Sequence, residues 1–168
     1  AHLGSCELEM KSTFALWIYR IACEPILWLA KTLALLEKLV HLSLWPKHWR
    51  IANRLGWNWP AVDAAPSHVI WMHAASLGEC KGLWALGQSL HDLPVSFVLT
   101  ANTTAGLEFL SRQIKHSEDP ERWHASLAPM DHPRIVQKFI RHFRINSLLL
   151  FEVELWPHFV QTMHKKNL

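Results

Sequence analysis

Glu79 closes the stretch His73-Ala-Ala-Ser-Leu-Gly-Glu79, and its carboxylate is the first group in the chain placed to do chemistry. It opens a helical pattern (Leu83, Leu86, Leu90) directly after an apolar run, Val69-Ile-Trp-Met. The macrodipole keeps an acid in a first helical turn ionised, and an ionised carboxylate beside a substrate hydroxyl is a candidate general base. Gly78 would let the backbone approach a substrate closely, and Ser76 offers a hydroxyl beside it. The same position suits a plain capping carboxylate, and the residues alone leave both roles open. A second acidic pair, Glu152 and Glu154, lies in Phe151-Glu-Val-Glu-Leu-Trp-Pro157. On extended backbone these two share a face, and acids at the end of an apolar strand are costly unless paired or used. Glu154 also suits a cap for a helix beginning near Pro157. The run Thr100-Ala-Asn-Thr-Thr-Ala-Gly106 leads hydroxyls into a helix, where Thr103 or Thr104 is either an N-cap or part of a cradle for a phosphate or sugar. Asp131 and His132 add a further polar pair.

These groups need a scaffold, and the sequence supplies one from residue 68 onward. Short apolar runs at Val69–His73, Val95–Thr100, Ala125–Ala128 and Ser147–Phe151 read as strands. Helical patterns follow each of them, at about Glu79–His91, Thr104–Lys115, Pro133–His142 and Trp156–Lys165. The strands start about 22 to 30 residues apart, which is what a βαβ crossover needs. The expected class is α/β, a Rossmann-like parallel sheet buried on both faces. Ligands on such sheets bind outside the carboxyl ends of the strands, and the polar residues named above fall at those ends.

The segment before the sheet is different. From Ser12 to about Trp45 it is strongly apolar, but Arg20, Glu24, Lys31, Glu37 and Lys38 interrupt it, so no run of about 18 uncharged residues exists. Arg20, Glu24, Lys31 and Lys38 fall on one stripe of an amphipathic helix, and Pro25 should kink or restart that helix. Tryptophans 45, 49, 57 and 59 then alternate with Lys47, His48, Arg50 and Arg54, a mixture typical of a membrane–water interface. The expected division is residues 1–11 unassigned or tag-like, 12–60 a membrane-associating helical segment, 61–67 a linker, and 68–168 the sheet domain. Composition agrees: 168 residues, 50% hydrophobic and 18% charged with ten tryptophans, argue for a packed core and against disorder. A net charge of +3 is too small to indicate nucleic acid and is compatible with an anionic ligand or membrane surface. Twelve histidines without ligand spacing and three scattered cysteines (Cys6, Cys23, Cys80) give no metal or disulfide pattern. Cys80 follows Glu79 directly and is read as incidental.

Taken together, His73 to Glu79, Thr100 to Gly106, Leu127-Ala-Pro-Met-Asp131-His-Pro133 and Phe151 to Pro157 resemble the Kdo transferases of lipopolysaccharide synthesis. These are bacterial inner-membrane enzymes that move 3-deoxy-D-manno-octulosonic acid (Kdo) from CMP-Kdo to lipid A precursor. The resemblance runs from about residue 14 to the end of the chain. It implies the N-terminal, acceptor-side half of a GT-B glycosyltransferase, with a membrane-associated N-terminal helix on the cytoplasmic face. It also implies no metal and no cofactor, the donor CMP-Kdo being held mainly by a C-terminal half absent from these residues. Carried over, Glu79 matches the general base and Glu152 a residue supporting the transition state. Acceptor contacts would come from Ser76, Gly78, Thr100, Thr103, Thr104, Gly106, Asp131 and Glu154, with Lys47, Arg50 and Arg54 meeting phosphate or lipid. The chain departs from the family pattern at Phe151, at Ala101-Asn102 and at His158. It reaches Leu168 where the family continues, so these residues alone are expected not to transfer Kdo. A non-catalytic docking module and a different GT-B glycosyltransferase remain the alternatives.

Overall fold

A computed structural model describes residues 2–39, 50–61, 68–151 and 156–165. Its centre is a four-stranded sheet of β1 (Val69–Ala74), β2 (Ser96–Ala101), β3 (Trp123–Leu127) and β4 (Ser147–Leu150). The order is β3-β2-β1-β4, and every pairing is parallel. Helices α3 (Leu77–Ser89), α4 (Thr104–Lys115), α5 (Pro133–Phe143) and α6 (Pro157–Lys165) follow the strands in turn. The expected α/β Rossmann-like class is therefore what the chain adopts.

Alternation along the strands divides the core. Met72, Ala74, Phe97, Leu99 and Ala101 pack with Cys80 and Leu83 of α3 and Leu110 of α4. Val69, Trp71 and Val98 point the other way, against Val136, Phe139, Ile140 and Phe143 of α5 and Phe159 and Met163 of α6. The apolar positions of α5 recur at helical spacing on one side, so burying that stripe fixes the helix to the sheet. Trp71 anchors the second layer, with ring centroids 4.8 Å from Phe139 and 4.6 Å from Phe159. Each such fully buried side chain stabilises the fold by about 1.5–3 kcal/mol.

The strand order also locates a crevice. From β1 the chain steps outward through β2 to β3, then crosses back so that β4 pairs with the other side of β1. The reversal places a topological switch point between the carboxyl ends of β1 and β4, where ligands bind in open α/β sheets.

The N-terminal segment departs from expectation in three ways. Helix α1 runs from His2 to Leu39 with Pro25 inside it, so it includes the residues set apart as tag-like and is not restarted at the proline. It is also not a separate segment: Leu27, Ala30 and Ala34 are buried with Ile51, Ala52 and Leu55 and with Ile135 of α5. Finally, the charged stripe turns partly inward. Glu24 lies 3.4 Å from the His132 ring and 3.6 Å from Arg134, while Trp28 and Leu29 of the apolar side are 64% and 60% exposed. Helix α2 (Ile51–Arg54) is clamped to α1 by the Glu37 carboxylate, which accepts the Ala52 N–H at 3.1 Å. No helix among the described residues is long and apolar enough to cross a membrane. Trp45, Lys47, His48 and Trp49 lie outside the described residues, as do 62–67 of the expected linker.

Candidate active site

The turn after β1 is shaped by Ser76 and Glu79. Ser76 is the N-cap of α3, its Oγ accepting the Glu79 N–H at 3.3 Å. The Glu79 carboxylate reaches back, with Oε2 accepting the N–H of Ala75 at 2.7 Å and of Ser76 at 3.4 Å. Oε1 accepts the Ser76 hydroxyl at 2.8 Å. This reciprocal capping box satisfies donors that a helix start otherwise leaves open. The capping role seen in the sequence is therefore filled. It does not remove Glu79 from solvent, since the side chain is half-buried. The Ser76 hydroxyl hydrogen bond, together with the two backbone N–H groups and His73, holds the carboxyl below the usual glutamate range against partial desolvation. Gly78 beside it is exposed, and an added Cβ would meet just the Ser76 Oγ, at 3.9 Å. Neither backbone angle nor packing requires glycine there.

The turn after β2 lies alongside. The Asn102 N–H donates to Ala75 O at 3.2 Å, tying the two turns together. Thr103, not Thr104, caps α4, its Oγ1 accepting the Gly106 N–H at 3.1 Å. Three positions expected at the acceptor surface are instead interior. Thr100 lies inside β2 and is fully buried. Its Oγ1 accepts the Trp71 indole N–H at 2.8 Å and lies 2.9 Å from His73 Nδ1. Gly106 is buried where a Cβ would come within 2.9 Å of the Ala101 Cβ and the Cys80 Sγ, so its glycine serves helix–strand packing. Asp131 is buried too: its carboxylate accepts the N–H groups of His158 (3.3 Å) and Phe159 (3.1 Å) at the start of α6 and the Tyr19 hydroxyl of α1 (3.0 Å). Burial pushes this carboxyl up while those donors hold it down.

Two groups are more central than the sequence suggested. Arg54, expected at a lipid interface, donates through Nη1 to Ala128 O (3.2 Å) and through Nη2 to Asn102 O, bridging the ends of β3 and β2. Burial lowers its pKa. His73, the penultimate residue of β1, is buried and its pKa falls to about 4, burial outweighing the pull of Glu79 while Arg54 pushes the same way as burial. It is neutral at physiological pH. Its place at the head of the Glu79 stretch was the available signal; nothing in the spacing of Arg54 distinguishes it from a surface cation.

Glu152 and Glu154 lie outside the described residues. Their approach is described: Leu150 pairs with His73, and the Phe151 N–H donates to His73 O at 2.9 Å. The Phe151 ring covers Gly82 of α3, where a Cβ would meet it at 2.7 Å. The described chain thus reaches Phe151 beside the end of β1 and the first turns of α3. Cys80 is fully buried, and burial raises its thiol to about 11, which makes it inert. Among the described residues no group of three histidine, cysteine or carboxylate side chains could hold a metal ion.

Comparison with known proteins gives the family. Residues 49–168 match the family described as 3-deoxy-D-manno-octulosonic-acid transferase (kdotransferase). The chain is 29% identical over 129 residues to a probable mitochondrial 3-deoxy-D-manno-octulosonic acid transferase of Arabidopsis thaliana, covering 74% of the chain and 26% of that protein. It is 28% identical to the 3-deoxy-D-manno-octulosonic acid transferase of Bordetella pertussis, covering 68% and 30%. The corresponding protein of Haemophilus influenzae is 30% identical, covering 71% and 27%. The chain therefore spans between about a quarter and a third of the length of these relatives. No solved structure matches it.

Proposed function

Since the chain belongs to the family of 3-deoxy-D-manno-octulosonic acid transferases, we propose that it is the acceptor-side half of an enzyme that transfers Kdo from CMP-Kdo to lipid A precursor. The complete reaction is proposed for a protein in which this half works with a donor-binding half, GT-B fashion, at the cytoplasmic face of a bacterial inner membrane. The observation that carries the reading is Glu79: an ionised, half-exposed carboxylate in the turn after β1, at the switch point of the sheet.

The chemistry needs a base because a sugar hydroxyl is a poor nucleophile. Glu79 takes the hydroxyl proton as the acceptor oxygen bonds to the anomeric carbon of Kdo, while the bond from that carbon to the CMP phosphate oxygen breaks. CMP leaves from the opposite face, the anomeric centre inverts, and Glu79 ends protonated. Glu152, next after Phe151 in the sequence, would stabilise positive charge developing on the sugar ring. The depressed pKa of Glu79 makes it a weak base at rest. An acceptor hydroxyl reaches Oε1 by displacing the Ser76 hydroxyl, which puts the proton to be removed on the basic oxygen. Gly78 leaves room for that approach. Ser76, Thr103 and Thr104 border the same edge and are proposed as acceptor contacts.

A second reading, a docking module without catalysis, is favoured by the engagement of both Glu79 oxygens in the cap. Glu79→Gln separates the two, because glutamine at this position retains a capping box. In a protein joining these residues to a donor-binding half, transfer of labelled Kdo should fall by a factor of about 100 or more with the fold intact. Unchanged transfer both in Glu79→Gln and in Glu152→Gln would favour the docking module instead.

A further inference from the structure

A hollow of ≈ 370 Å³ opens beside the carboxyl edge of the sheet, lined by Arg50, Thr104, Leu107, Glu108, Ser111 and Arg112. Thr104 is the first residue of α4, so the hollow flanks the turn that follows β2. Both arginines are exposed, and neither guanidinium makes a hydrogen bond or ion pair with another described residue. For Arg112 this is unexpected, because Glu108 stands one helical turn before it, at a spacing that ordinarily pairs on a helix surface. Arg50 adds an independent oddity. It holds φ 34° and ψ 54°, a left-handed conformation that a long side chain seldom adopts, and it makes no side-chain cap for α2. Strained residues of this kind collect at binding sites, where the surroundings fix them for a purpose.

We propose that this hollow is a phosphate subsite, in which Arg50 and Arg112 grip a phosphomonoester and the Thr104 and Ser111 hydroxyls donate to its remaining oxygens. Planar guanidinium groups bind phosphate oxygens in pairs, and hydroxyls add neutral donors. Glu108 sets the selectivity. Two cations and one carboxylate leave a single net positive charge, enough to hold a phosphate and too little to hold polyanions indiscriminately. The subsite rests on the acceptor-side reading for what carries the phosphate, and its own test needs no donor and no transfer.

The test is a titration of the 168-residue chain with inorganic phosphate and then glucosamine 1-phosphate, followed by the NMR signals of the arginine Nε–Hε groups and of residues 104–112. Signals of Arg50 and Arg112 should move together. Arg50→Gln and Arg112→Gln should each weaken binding about tenfold, which corresponds to one charge-assisted contact. Arg112→Lys should restore part of the loss, and Glu108→Gln should tighten binding. Vesicles of phosphatidic acid in phosphatidylcholine, set against phosphatidylcholine alone, decide whether a lipid headgroup or a soluble phosphate competes best. Equal phosphate affinity in the parent chain and the Arg50→Gln/Arg112→Gln double variant would overturn the subsite. So would shifts confined to residues elsewhere.

Discussion

Ser76 and Glu79 hold each other, and the proposed chemistry depends on how firmly. Ser76→Ala deletes the hydroxyl that donates to Oε1 and the oxygen that receives the Glu79 N–H. Loss of the cap should cost about 1 kcal/mol of stability, read from denaturant midpoints. It should also raise the Glu79 pKa toward the ordinary glutamate value, read from the side-chain carboxyl carbon across an acid titration. The sign follows from linkage. With a folded pKa below the unfolded one, the contribution of Glu79 is fully present above the unfolded value and is lost as pH falls through the folded value. Ser76→Ala narrows that gap, so its stability should decline less steeply on the acid side than that of the parent chain. An unmoved carboxyl titration would show that the Ser76 hydroxyl does not set the acidity of Glu79. Residue spacing made this pair legible, because a serine three positions ahead of a glutamate writes a capping box directly into sequence. Thr100 was not legible in the same way. A hydroxyl beside a turn reads as a surface group, and its burial depends on Trp71, 29 residues away.

At the scale of elements, the strands and helices of the sheet domain follow from alternation and helical period. Helix α4 runs from Thr104 to Lys115 as expected, and β1, β2 and β4 agree to within a residue or so. Strand β3 begins at Trp123 rather than Ala125, because Trp-His-Ala-Ser-Leu has no clean apolar run. Its polar Ser126 is explained by a distant partner, the hydroxyl donating to Asn53 Oδ1 at 3.2 Å. Such contacts between remote segments are what period and propensity cannot carry. Asp131 is the clearest case. One carboxylate holds the start of α6 and also receives Tyr19 of α1, so it joins the first and last of the described helices. Asp131→Asn should destabilise by about 1.5–3 kcal/mol, the range for hydrogen bonds to a charged group, and Tyr19→Phe by about 1 kcal/mol. The two should not add. A double-mutant cycle on denaturant midpoints should give a coupling of at least about 0.5 kcal/mol, whereas strict additivity would mean that the clasp between α1 and the sheet domain carries no energy.

For the molecule as a whole, α1 presents two unlike faces. Leu27, Ala30 and Ala34 belong to a core shared with α2 and α5, while Trp17, Ile18, Ile21, Trp28, Leu29, Leu35 and Leu36 are exposed. An exposed apolar surface on this scale marks an interaction site, and the Lys31 ammonium 4.8 Å above the Trp28 ring adds the cation-plus-aromatic pairing found at lipid headgroups. We propose that α1 lies in the membrane interface through this face. Deleting the N-terminal segment would test this poorly, because the deletion also removes Leu27 and Ala34 from the core and unfolding would mimic loss of binding. Substitutions on the outer face avoid that difficulty. Trp28→Ser with Leu29→Ser touches side chains that are already in solvent, so the denaturant midpoint should hardly move. Each lost side chain forgoes about 1.5–3 kcal/mol of burial in the membrane, so the double variant should bind phosphatidylglycerol-containing vesicles more than tenfold less tightly in a sedimentation assay. The parent chain should show a blue shift of tryptophan emission on the same vesicles. If both proteins sediment equally, the outer face of α1 is not the membrane contact, and the proposed seat of the enzyme against the bilayer must be sought on another surface.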